Sequence, residues 1–189
     1  MYEYIQIVDE LLRPVLERTG RGLFDVLCNT LHKAAKLSRR SHSSEEWDDN
    51  SCVWQPDLKI QDEDDRDDVR CVLVAATRET AETLLNDGRV DLSHLVEDLE
   101  AHCWLIFRRL ALYCLVTTAS APRDLIAPRL THEPSFRDRN LRKEYDSLLH
   151  IGFTCLTPDE QQTIISWVEA GPENIEQLVR NYELNTDRH

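Results

Sequence analysis

From Asp91 to Tyr182 the chain is one succession of apolar stripes at helical spacing, cut into lengths by proline and glycine. Leu92, Leu95, Val96 and Leu99 make one stripe, and Trp104, Phe107, Leu110, Ala111, Cys114 and Leu115 make the next. Residues three and four apart share a helix face, so each stripe demands a partner surface to cover it. The pattern predicts a bend or break near 101–103. No stretch alternates apolar and polar residues with the period of two that a half-buried strand needs. The expected fold class is therefore all-α, with a core made by helix pressed on helix.

Proline and glycine set the expected boundaries. Pro122 suits the first turn of a helix running to about 130, and Pro134 separates it from one near 138–152 that carries Leu141, Tyr145, Leu148 and Leu149. Thr157-Pro158-Asp159-Glu160 reads as a capping box, with Thr at N-cap, Pro at N1 and Glu at N3. That helix is expected to bury Ile164, Ile165, Trp167 and Val168 and to stop at Gly171, after which Pro172 opens a last one with Ile175, Leu178, Val179 and Tyr182. Upstream, residues 2–18 and 22–38 predict a hairpin about Gly20 and Gly22, the second helix facing inward with Leu23, Val26, Leu27, Leu31, Ala34 and Leu37. A third helix is expected over 65–86.

Between the hairpin and that helix, residues 39–64 lack periodicity and hold Ser41, Ser43, Ser44, Pro56 and the start of an acidic run. Trp54 is poor material for a solvated linker and is expected to anchor this segment onto the helices. The organisation predicted is an N-terminal hairpin at 1–38, an acidic loop containing Ser and Trp at 39–64, and a helical-repeat solenoid at 65–189. Helix pairs in units of roughly 35–45 residues lie in the range of HEAT-like repeats. Stacked antiparallel pairs forming an α-α superhelix are thus the expected architecture.

Charge narrows the partners. The chain of 189 residues carries a formal net charge of −13. Between Glu45 and Asp68, eleven acids face two bases, Lys59 and Arg66. Such a chain repels a phosphate backbone, so a protein partner is expected ahead of nucleic acid. No run approaches the ~18 apolar residues of a membrane span. The acidic, amphipathic start at Met1–Ile5 is unlike a secretory signal, which makes a cytoplasmic location the expectation. Six cysteines without a CxxC pair read as buried thiols of a reducing compartment.

Few residues invite chemistry. The run Asp62 to Asp68 resembles a calcium loop in charge alone, because the sixth residue is Asp67 where Gly is needed and the twelfth is Leu73 where Glu is needed. Asp57 and Lys59 echo part of a magnesium-dependent nuclease site, but that chemistry needs a second acid on an adjacent strand. Cys28 and His32, four apart, suit zinc spacing, and His150 and Cys155 are the candidates to complete a set. Cys103 beside His102 or His94 is the analogous candidate for a nucleophile, although adjacent helix positions point about 100° apart. Structural roles account for these residues more simply, so no catalytic, cofactor-binding or metal residue is expected. Arg137, Arg139, Arg142 and Lys143 are the only concentrated basic stretch and the candidate partner-contact surface. Interleaved Asp138 and Glu144 also suit that stretch to ordinary surface ion pairs. Of Arg108 and Arg109, one must lie near an apolar face and reach a carboxylate, with Glu144 or Asp146 the expected partner. Trp54, Arg108, Arg109 and Trp167 are the expected structural anchors.

Several passages carry a family resemblance. Trp54-Gln55-Pro56-Asp57-Leu58-Lys59-Ile60, followed by Asp68 through Glu79, resembles a passage of large bacterial STAND-type NTPases. Phe107 through Tyr113, Lys143-Glu144-Tyr145, and Leu156 through Gly171-Pro172 resemble later landmarks of the same region. In those proteins this stretch belongs to the helical solenoid beyond the NTPase module. Some members act in antiphage defence, where the solenoid recognises a foreign protein and the NTPase assembly activates an effector. Gln55 stands where the family has Arg, and Asp57-Leu58-Lys59 replaces Ala-Ile-Glu. These residues contain no GxxxxGK[ST] phosphate loop. The resemblance implies a sensor or scaffold segment of a larger defence protein, or a stand-alone solenoid. The rival readings are a small metal-dependent helical enzyme using the acids at 57–68, and a nucleic-acid-binding helical repeat.

Overall fold

In the computed structural model of the chain, residues 14–16, 18–38, 49–51, 54, 58 and 68–171 are described. The expected first helix over 2–18 lies largely outside them, as do the last helix from Pro172 and the acids at 57 and 62–67. Within them every regular element is a helix: α1 (Arg21–Leu37), α2 (Val69–Asn86), α3 (Leu92–Glu100), α4 (Leu105–Thr117), α5 (Arg123–Leu130), α6 (Glu133–Arg137), α7 (Arg142–Gly152) and α8 (Pro158–Ala170), with a 3-10 turn at Phe153–Cys155.

Short polar side chains set the starts. Asp68 caps α2 by accepting from the Arg70 amide at 2.8 Å, and Asp91 caps α3 by accepting from the Ser93 amide at 3.0 Å. At α8 the Thr157–Glu160 box is complete in both directions, and Gly171 ends the helix at φ 72°, where a Cβ would be strained. The long pattern from Asp91 does break, between Glu100 and Leu105. Helix α4 then starts on Trp104, which has no capping oxygen of its own. Its first amides are satisfied from far along the chain: the Asp49 carboxylate accepts from Leu105, and the Ser51 hydroxyl accepts from Ile106 at 3.1 Å.

Packing follows from α4. Of residues 105–115 only Arg108 is exposed. A helix apolar on all sides must be central, and α4 lies against α3, α7 and α2. Helix α2 is likewise enclosed, packed on α1 and bearing on α4. Trp54 and Leu58 join this core. The Trp54 carbonyl accepts from the Cys71 thiol, the Arg70 guanidinium sits 5.6 Å above the Trp54 ring, and the Leu58 carbonyl accepts from Arg78.

Two faces differ from the sequence reading. Helix α1 buries Phe24, Cys28, Leu31 and Ala35, while Val26 and Leu37 are 60% and 85% exposed. Two apolar rows compete on this helix, and the row with Phe24 meets α2. In α8 only Ile164 is buried, with Ile165 and Val168 exposed.

The buried charge is the main energetic commitment. Arg109 on α4 is 2% exposed and Glu144 on α7 is 5% exposed, with Nη2 donating to Oε1 at 2.7 Å. Around this pair α7 is fixed by close fit. The Tyr145 hydroxyl donates to the Leu130 carbonyl at the end of α5 at 2.5 Å, and a Cβ on Gly152 would meet Ile126 Cγ2 at 2.6 Å. Removing one partner of a buried ion pair leaves the other charge stranded in the core. Arg109→Ala and Glu144→Ala should each lower unfolding free energy by about 3–5 kcal/mol, while Arg109→Met with Glu144→Leu should cost far less. Urea unfolding followed by tryptophan fluorescence measures both.

Candidate functional site

Helix α7 presents two faces. Glu144, Tyr145, Leu148 and Gly152 turn into the core, whereas Arg142, Asp146 and Leu149, spaced at four and three, face a groove of about 500 Å³. The other walls come from Phe136 and Arg137 of α6, Arg139 of the following link, Trp167 and Val168 of α8, and Gly171. The three arginines singled out in the basic stretch are thus brought to one surface. Lys143 is exposed on α7 and does not line the groove.

The arginines are not equivalent. Arg137 donates through Nε to Glu133 Oε1 at 2.8 Å and through Nη1 to the Gly171 carbonyl at 3.3 Å, tying α6 to the end of α8. Arg142 lies 3.5 Å from Asp146, both side chains well exposed. Arg139 is exposed and has no ion pair among the described residues. Between them sits an aromatic wedge: the Phe136 and Trp167 rings are 5.4 Å apart and tilted by 43°, and Phe136 also meets Tyr145 edge-on at 5.9 Å. Burial, helped by the charge of Asp146, raises the Tyr145 phenol above its ordinary range, so it serves as a fixed donor.

Trp167, expected as a core anchor, is half-buried on the groove wall. Arg108, expected as an anchor beside Arg109, points out of α4, and no ion pair holds it among the described residues. Arg109 takes the interior position, and of its two expected partners it meets Glu144. Sequence reasoning missed Phe136, which lies two residues after Pro134 and belongs to no periodic stripe. Its only signal was a lone aromatic beside the basic stretch.

A second cluster joins α1 to the link between α3 and α4. His32 and His102 meet Nδ1 to Nδ1 at 3.2 Å, and His102 stacks on Phe107 with centroids 4.1 Å apart. One ring must carry its proton on Nδ1 and the other must not. Burial, and then the charge of His32, lower the His102 pKa, with Asp98 opposing. Close by, burial pushes the Cys28 thiol up to about 12, and Cys114 likewise, which keeps both protonated and unreactive. Among the described residues no three of His, Cys, Asp or Glu are grouped to hold a metal ion. Asp68 is committed to capping α2 and to Arg70, which holds its carboxyl below the usual range. No described helix is long and apolar enough to cross a membrane.

What the groove offers is apolar contact with cationic forks at its edge, and Asp146 is the single carboxylate among its described lining residues, which include no histidine, cysteine, serine or threonine. Comparison of the chain with family models, with curated proteins and with solved structures found no match.

The histidine pair predicts a pH dependence. A histidine whose folded pKa is lowered binds its proton more readily when unfolded, so its stabilisation is whole above the ordinary value of about 6.5 and is lost as pH falls below it. Thermal unfolding from pH 8 to 5 should show the melting temperature falling in the acid half, and His102→Gln should flatten that fall.

Proposed function

We propose that the chain is a non-enzymatic helical scaffold or sensor segment that binds a protein partner. The groove between α6, α7 and α8 carries this reading: it combines an aromatic wedge with the exposed Arg139 and Arg142, and Asp146, paired with Arg142, is the single carboxylate of its described lining. Surfaces that capture protein favour this chemistry, since aromatic residues and arginine supply most of the binding energy at interfaces.

The α-superhelix of stacked helix pairs is part of the same proposal, as is a place beyond the NTPase module of a STAND-type defence protein in the cytoplasm. What supports them is the helical architecture together with the landmarks around Trp54, Phe107–Tyr113, Lys143-Glu144-Tyr145 and Leu156–Gly171. In that setting Arg109 and Glu144 are the internal tie of the segment, and the groove is the contact surface. Exposed Ile165 and Val168 on α8, with Val26 and Leu37 on α1, are apolar surfaces through which copies would self-associate.

A photo-crosslinking residue placed at Val168, on the lip of the groove, tests the reading. It should trap a protein in the cells of origin that the same residue at exposed Glu97 on α3 does not. Equal adducts at both positions, or none at Val168, contradict it. The NTPase part is tested by the coding sequence on either side, where a P-loop frame is expected.

A further inference from the structure

We propose that the groove takes an acidic linear peptide, one large apolar side chain seated in the Phe136–Trp167 wedge and flanking carboxylates held by Arg139 and Arg142. The proposal rests on the partner-binding reading above and names the class of partner.

Arg139 supplies a guanidinium with no carboxylate among the described residues. Arg142 has only the long, exposed contact to Asp146, of the kind that contributes little and exchanges readily. Both are planar forks that match a carboxylate through two hydrogen bonds. Arg137, held by Glu133 and the Gly171 carbonyl, is wall rather than ligand contact. The start of α7 at Arg142 has no side-chain cap, so the positive end of that helix adds to the same potential.

The apolar half is equally defined. Phe136, Trp167 and Leu149 offer a surface that α8 leaves partly open, and Val168 extends it as a lip 62% exposed. A volume of about 500 Å³ falls within the size of ordinary ligand sites and admits one large side chain with its adjoining backbone.

The net charge of −13 does not defeat this. Screening limits exposed charges to about 8 Å at physiological ionic strength, so at contact the groove's own arginines dominate. A nucleic acid is a poorer fit, because it would carry regularly spaced phosphates beyond the groove along a chain of net charge −13.

Fluorescence anisotropy on the full chain tests this. The probes are short fluorescein-labelled peptides with a central tryptophan flanked by glutamates, by glutamines or by lysines, and an oligothymidine. The glutamate peptide should bind best, and R139E with R142E should weaken it at least about tenfold, with added salt acting in the same direction. Trp167→Ala should weaken it further, and Arg108→Glu, on exposed α4 surface, should leave it unchanged. Equal binding of the glutamine peptide overturns the acidic class while leaving the partner-binding reading intact. No binding of any peptide overturns the proposal, and the Val168 crosslink then judges the broader reading by itself. Preference for oligothymidine overturns it in favour of a nucleic-acid site.

Discussion

The ion pair between Arg109 and Glu144 is the constraint on which the arrangement of this chain depends. From Leu105 to Leu115, helix α4 is enclosed at every position but Arg108, so the guanidinium at position 109 has no route to water. Taking such a charge out of water costs several kcal/mol, and only a well-placed carboxylate offsets it. Glu144 on α7 provides that carboxylate at 2.7 Å. Apolar surfaces tolerate sliding; a buried ion pair does not. The pair therefore sets which turn of α7 lies against which turn of α4.

Everything at the groove follows from that setting. With Glu144, Tyr145, Leu148 and Gly152 directed inward, Arg142, Asp146 and Leu149 are directed toward α6 and α8. The Tyr145 bond to Leu130 and the near contact of Gly152 with Ile126 fix α7 on α5. Arg123 secures the far end, donating to the Cys155 carbonyl at 3.0 Å and to both Glu160 oxygens. The wedge of Phe136 and Trp167 is thus mounted on helices whose inner faces are already committed. Its outer surface remains available for contact.

Local signals in the sequence translate directly into structure. Thr157 and Glu160 make their box because both partners lie within one turn, and the break before Leu105 was visible as a change in stripe phase. Arg109 was legible for a physical reason: a charge in an apolar stripe requires a partner, and few carboxylates follow at a suitable place. Non-local choices were not legible. Nothing near Leu105 announces that Asp49 and Ser51 will satisfy its amides from more than 50 residues away. Helix α1 carries two apolar rows, and only contact with α2 selects Phe24 over Val26. The groove needs α6, α7 and α8 together, so its arginines were readable as a stretch while Phe136 and the position of Trp167 were not.

Hydrogen exchange measured by mass spectrometry on Glu144→Gln, under conditions where the fold is retained, tests the central claim most directly. The substitution keeps the shape of the side chain and removes the charge that meets Arg109. Exchange should quicken through α6 and α7 and at the groove side of α8, while α1 and α2 keep their protection. Uniform loosening of all helices, or no change in α7, would contradict the view that this pair positions the groove.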